Sequence, residues 1–213
     1  MISREKSIAE KLLQINAIRL NLQTPFHWAS GWKSPVYCDN RRILSFPYVR
    51  DFVKSEMSNV VMEAFPDAEL IAGVATGGIA MGALVADQIK LPFVYVRSKA
   101  KGHGLENRIE GFLEKGKKTV VIEDLISTGG SSLEACLALK EAGAGIIGLV
   151  SIFNYGFPIA AKAFEDAGIP VKSLSNYSAM ISLASEKGVI SEEQMIPLNA
   201  WREAPEKWGV DEK

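Results

Sequence analysis

Five short, mostly apolar runs restrict this chain to a small set of architectures. They lie at 69–74 (ELIAGV), 92–98 (PFVYVRS), 118–124 (KTVVIED), 145–153 (GIIGLVSIF) and 170–174 (PVKSL). Apolar, β-branched and aromatic residues follow one another in them without strict alternation, as expected of strands covered on both faces. Between them lie stretches with helical periodicity. In 46–65 the apolar residues fall at 46, 49, 52, 53, 57, 60, 61 and 64, one buried stripe of a helix. A second helical stretch covers 79–90, and another surrounds 158–168. Ser131 and Glu134 have capping-box spacing, which starts a helix at about Ser131 that stops at Gly143. Strand and helix in alternation predict an α/β fold, a mostly parallel twisted sheet flanked by helices. Right-handed crossovers then gather the loops at the carboxyl ends of the strands on one edge, where ligands bind.

At 213 residues the chain is long enough for one substantial domain with elaborations. Its core is expected at about 68–175. The first 45 residues and the last 40 break the alternation, so segments of about 1–45 and 176–213 are read as one smaller lobe covering the sheet edge. Within them 27–42 (HWASGWKSPVYCDNRR) is aromatic, basic and turn-rich, and 178–188 and 191–205 read as two short helices. A net charge of -1 argues against bulk attraction to nucleic acid or membranes. No apolar run approaches the ~20 residues that span a bilayer. The charged start MISREKSIAEK lacks the apolar core of a secretory signal. Cys38 and Cys136 have no metal-type spacing and read as reduced thiols of a cytoplasmic protein.

Three stretches stand at strand ends and are expected to converge: ATGG (75–78), RSKAKGHG (97–104) and EDLISTGGS (123–131). In the last, a buried strand, a Gly-Gly turn and a helix start present several backbone N–H groups to one point, and Ser127, Thr128 and Ser131 add hydroxyls. That suits phosphate, although an ordinary strand-to-helix turn has the same composition. The spacing is neither a Walker A loop nor G-x-G-x-x-G. Glu123 and Asp124 stand beside the turn, where two carboxylates are costly unless something engages them. Sugar hydroxyls donate to carboxylates, so acids and turn together describe a ribose 5-phosphate; a solvated acidic strand end is the plainer alternative. Arg97, Lys99, Lys101, His103 and Arg108 form a basic, glycine-jointed stretch. It reads either as a solvated charged loop or as a lid whose cations meet a diphosphate.

VVIEDLISTGGSS (120–132) resembles the phosphoribosyl-diphosphate (PRPP) signature of type I phosphoribosyltransferases. The resemblance implies that Glu123 and Asp124 hold the ribose hydroxyls. It also implies that Leu125, Ile126, Ser127, Thr128, Gly129, Gly130 and Ser131 form the turn around the 5′-phosphate. The basic stretch is similar to the catalytic loop of the orotate phosphoribosyltransferase branch, with Arg97, Lys101 and His103 at the matching positions. In that branch these residues reach the diphosphate of the neighbouring subunit of a homodimer. S-G-x-x-S-P at Ser30–Pro35 belongs to the same branch, with Tyr37 packing against orotate or its pocket and Ser127 contacting orotate. Tyr37 also fits a plain core aromatic.

Departures from the branch are Ala29, where a lysine is common, and Thr76-Gly77, where some relatives carry Tyr-Lys. No arginine stands in 153–156 (FNYG) to meet the orotate carboxylate. The implied reaction transfers ribose 5-phosphate from PRPP to orotate with Lys101, Asp124 and Glu123 as catalytic residues. Mg²⁺ is implied as cofactor, held mainly by PRPP, with no protein metal site. A transferase for another base, or a PRPP-sensing regulator of the same fold, would share the signature. The regulator would be expected to carry an added nucleic-acid-binding region, which this chain lacks room for.

Overall fold

The computed structural model describes residues 3–28, 31–97 and 108–208. The chain opens with helix α1 (Arg4–Gln14), which its sequence did not announce. Ser3 caps it by accepting from the Lys6 amide at 3.3 Å, and Ile8, Ala9 and Leu12 form its buried stripe. Two small antiparallel pairs follow: β1 (Ile18–Leu20) with β4 (Val36–Cys38), and β2 (Phe26–His27) with β3 (Lys33–Ser34). A 3-10 turn, Asn40–Ser45, leads to α2 (Pro47–Ala64), where Pro47 suits the first turn because no amide partner is needed there.

The core then alternates: β5 (Leu70–Val74), α3 (Gly77–Ile89), β6 (Phe93–Val96), β7 (Ile109–Glu110), β8 (Lys118–Ile126), α4 (Gly130–Glu141), β9 (Gly145–Asn154), α5 (Pro158–Asp166) and β10 (Val171–Asn176). Helices α6 (Tyr177–Glu186) and α7 (Glu192–Glu203) complete it. Among the described residues the main sheet has six strands in the order β10-β9-β8-β5-β6-β7. All neighbours are parallel except β7, which runs antiparallel to β6 at the edge. The result is the expected α/β fold, a mostly parallel sheet flanked by helices. Every residue of β5 is buried, as are Val120, Val121 and Ile122 of β8, because both faces carry helices.

The helix start expected at Ser131 forms differently. Helix α4 begins at Gly130, and its N-cap is Gly129 at φ 79°, a left-handed conformation that glycine adopts without Cβ strain. Glu134 does not return to the cap but pairs with Arg108 at 3.0 Å. The helix has no side-chain cap, so no side chain of its N-cap residue occupies its first amides. A capping box does form in α7, between Ser191 and Gln194.

The two ends of the chain pack on each other. The Ser175 hydroxyl donates to the Glu5 carbonyl at 2.8 Å, and the Trp201 indole N–H donates to the Lys33 carbonyl at 3.1 Å. Trp28, Trp32, Tyr155, Phe157, Tyr177 and Trp201 form one aromatic cluster around this junction. No helix among the described residues is long and apolar enough to cross a membrane.

Candidate active site

Strand order sets the site. From β5 the chain moves outward through β6 and β7, then returns to the other side of β5 as β8. The exits of β5 and β8 are therefore neighbours at the point where the strand order reverses, the usual position of a ligand crevice. β5 runs through the cis peptide Ala75–Thr76 into α3 at Gly77, and β8 runs through Ser127 to Gly129 into α4. Two helix N-termini thus open onto the same sheet edge. Glycine is required at Gly78, whereas at Gly77 a Cβ would need the Asp124 side chain to shift. A Cβ at Gly77 would overlap the Asp124 carboxylate, and one at Gly78 would overlap the Ile122 carbonyl.

Two cavities meet there. One, of about 370 Å³, is lined by residues 74–77, Asp39, Arg41, Glu123, Asp124 and Ser131. Its neighbour, of about 450 Å³, is walled by Trp28, Tyr37 and Tyr155, with His27 and Ser127 at its polar side. Cys38 and Leu125 line both, so the two spaces adjoin. A larger cavity of about 530 Å³, between α1, β1 and α7, holds neither acid nor phosphate-type turn, and its size does not make it the site. The Asn40 side-chain amide donates to the Asp124 carbonyl at 2.6 Å, fixing the N-terminal segment to the end of β8.

The acids have different surroundings. Glu123 is only 5% exposed; its carboxyl accepts from the Asp124 amide at 2.9 Å and from the Ser132 hydroxyl at 2.7 Å. Burial first, and the neighbouring Asp124 charge second, push the Glu123 carboxyl well above the usual carboxylate range. Adjacent strand residues point to opposite faces: both acids border the cavity, but the Glu123 carboxyl is engaged by Ser132 while the Asp124 carboxylate stands over the start of α3.

Linkage fixes the sign of the resulting pH effect. The folded chain holds the Glu123 proton more tightly than the unfolded chain, so its contribution to stability is complete below 4.5, the unperturbed value. It is lost as pH rises from there toward the raised value. Glu123→Gln removes that slope, which for one proton reaches at most about 1.4 kcal/mol per pH unit. Urea unfolding of both proteins across this range measures it; parallel profiles would show that Glu123 titrates normally.

A model of the phosphoribosyl transferase domain matches residues 49–171, more than half of the chain. The orotate phosphoribosyltransferase of Bacteroides fragilis is 55% identical over 208 residues, covering 98% of each chain. The chain belongs to the orotate phosphoribosyltransferases. That of Bacillus subtilis is 54% identical over 199 residues, 93% of this chain and 92% of the other. The crystal structure of orotate phosphoribosyltransferase from Aeropyrum pernix superposes with a TM-score of 0.74 at 26% identity, covering 86% of this chain and 99% of that one. The activity is accordingly orotate phosphoribosyl transfer (EC 2.4.2.10), a glycosyltransferase step of pyrimidine biosynthesis.

In this orotate phosphoribosyltransferase, Glu123, Asp124, Leu125 and Ser131 share one cavity, while Tyr37, Leu125 and Ser127 share the next. Thr128, Gly129 and Gly130 form the intervening turn. Ile126 faces the core, 1% exposed, and its carbonyl accepts from the Tyr155 amide at 3.0 Å. Arg97 lines neither cavity. Its amide donates to the Arg108 carbonyl at 2.8 Å, its guanidinium pairs with Glu110 at 3.2 Å, and it lies 5.9 Å from the Tyr95 ring centre. Lys99, Lys101, His103, Ala29 and Ser30 lie outside the described residues. The sequence reading missed His27, Trp28, Asp39, Arg41 and Tyr155 as cavity residues. Tyr155 had a signal in standing just past the end of a core strand, and Asp39 and Arg41 had one in following the Tyr37 strand.

Proposed function

We propose that PRPP lies across the exits of β5 and β8, with orotate in the adjoining aromatic cavity. The observation that carries this reading is the seam at Cys38 and Leu125. On one side of it are three acids, Asp124 among them, and two helix starts, on the other an aromatic slot with Ser127. A phosphorylated sugar fits the first and a planar base the second, and the sugar's C1 then falls between them. The α4 amides with Ser127, Thr128 and Ser131 receive the 5′-phosphate, and Asp124 accepts from the ribose hydroxyls. Glu123, with its carboxyl turned toward Ser132, holds Asp124 and the turn in place rather than touching the sugar.

Breaking the C1–O bond develops positive charge on the ribose ring and negative charge on the departing diphosphate. Asp124 supplies negative potential near the ring. The α3 amides, together with Arg97, Lys101 and His103 of the neighbouring subunit in a homodimer, receive the diphosphate. A ring nitrogen of orotate, stacked between Tyr37 and Tyr155, then bonds to C1. No group of three or more metal-type side chains among the described residues is placed to hold a metal ion. Three acids, Asp39, Glu123 and Asp124, line the polar cavity, Asp39 engaged by Arg41 and Glu123 by Ser132. Such a donor set fits Mg²⁺ held mainly by PRPP oxygens and water, with Asp124 beside it. Bound there, the ion would neutralise charge on the diphosphate. We place the enzyme in the cytoplasm as a single domain, its core at about 68–175 and its smaller lobe at about 1–45 and 176–213, with no nucleic-acid or membrane partner.

Incubation with PRPP, Mg²⁺ and equal amounts of orotate, uracil, hypoxanthine and adenine tests the base cavity. Orotate alone should be consumed, with release of diphosphate. Preferential use of another base would assign the aromatic cavity differently, and PRPP binding without turnover would favour a sensor.

A further inference from the structure

An anionic substrate carrying a diphosphate needs cations, and the turn at Thr76-Gly77 supplies none. We infer that Arg41 is a diphosphate-binding residue of its own subunit, standing opposite that turn. The inference rests on the placement of PRPP proposed above. Arg41 is the one cation among the described residues lining the polar cavity, which it shares with Thr76, Gly77 and Asp124. Its side chain is 58% exposed, so its charge is carried at the mouth of the cavity rather than in the core.

Its orientation is fixed from behind. The Nε of Arg41 donates to Asp39 Oδ1 at 2.7 Å, and the Asp39 carboxylate also accepts from the Arg41 amide at 3.3 Å. Asp39 is itself the residue that starts the 3-10 turn Asn40–Ser45, so the pair is built into the backbone at that corner. With Nε engaged, the two terminal nitrogens have no hydrogen-bond partner among the described residues. They form a planar fork with the geometry that receives two oxygens of a phosphate. Asn40, between the two, is tied to the Asp124 carbonyl. The arginine and the acid that holds the ribose are therefore mounted on a common brace, at a fixed spacing. A cation in cis also makes chemical sense of the absent lysine in the β5 turn: the charge is delivered from the facing wall.

The test uses the full-length enzyme and two probes, magnesium diphosphate and ribose 5-phosphate, measured by calorimetry beside steady-state kinetics. Arg41→Gln should weaken diphosphate binding and raise the KM for PRPP by about tenfold or more, the range for a lost hydrogen bond to a charged group. Ribose 5-phosphate affinity and the KM for orotate should stay within about twofold. Arg41→Lys should fall between, since it keeps the charge and loses the fork. Thermal unfolding of both variants reports on the fold. Unchanged diphosphate binding in Arg41→Gln, with ribose 5-phosphate binding weakened in Asp124→Asn, would remove Arg41 and leave the PRPP placement standing. If Asp124→Asn also binds ribose 5-phosphate normally, the placement itself fails and the role of Arg41 falls with it. Loss of ribose 5-phosphate rather than diphosphate binding in Arg41→Gln would likewise overturn the assignment.

Discussion

Asp124→Asn is expected to lower turnover by on the order of 10²–10³, the usual cost of removing one preorganised group from a developing charge. The substitution is nearly isosteric, so the cavity keeps its shape while losing its negative charge. One carboxylate oxygen becomes an NH₂ that can no longer accept from a ribose hydroxyl. Near a ring that becomes positive as the C1–O bond breaks, the lost potential weighs more in the transition state than in the bound substrate, so kcat falls more than KM rises. Glu123→Gln is the control. Its amide oxygen still accepts from the Asp124 N–H, and its NH₂ donates to the Ser132 hydroxyl, so turnover should drop by no more than about fivefold, the scale of one neutral hydrogen bond. Steady-state kinetics and thermal unfolding of the two variants decide the matter. Equal losses of turnover would mean that both acids meet the sugar, with Glu123 leaving the inward position it occupies here.

Lys101→Ala should lose turnover on the same scale, on the order of 10²–10³, with little change in melting temperature. The stem of its segment is anchored: the Arg97 amide bonds the Arg108 carbonyl, the Arg108 Nε donates back to the Arg97 carbonyl at 3.2 Å, and Arg108 pairs with Glu134 on α4. That stem leaves from the β6–β7 edge of the sheet, while Arg97 lines neither cavity of its own chain. The function proposed above has Lys101 serve a neighbouring subunit. If so, Lys101→Ala and Asp124→Asn damage different halves of a shared site. Random pairing makes half of the dimers mixed, and each mixed dimer has one intact site of two, so about a quarter of wild-type activity should return. Assays after co-refolding, with mixed dimers verified by tagging, measure this. No recovery would assign Lys101 to its own subunit's chemistry.

The sequence displayed the core of the fold well and the site unevenly. Buried parallel strands have no polar face, so runs such as 118–124 are conspicuous, and the PRPP-type turn follows directly from one. Helix α1 was obscure because REKSIAEKLLQ is mostly polar; its stripe of Ile8, Ala9 and Leu12 gains meaning only against α6 and β10. The capping-box spacing at Ser131 and Glu134 was misleading, because Arg108 claims the glutamate through a contact distant in sequence. Glu123 and Asp124 look like a matched pair on paper, yet the twofold alternation of a strand sends neighbours to opposite sides. The aromatic wall was the least legible part. The ring centres of Trp28 and Tyr155 lie 4.9 Å apart although 127 positions separate them, and no local pattern encodes that.

That packing has a bearing on the order in which the enzyme becomes competent during synthesis. Trp201 donates to the Lys33 carbonyl across 168 positions of sequence, and its ring stands 5.7 Å from Trp28, a wall of the aromatic cavity. A nascent chain ending before α7 already holds every residue of the β5 and β8 turns, but the ribbon carrying Trp28 can rest only on Tyr155 and Phe157 and lacks its tie to Trp201. Such a chain has the parts for phosphorylated ribose before it has a finished slot for the base.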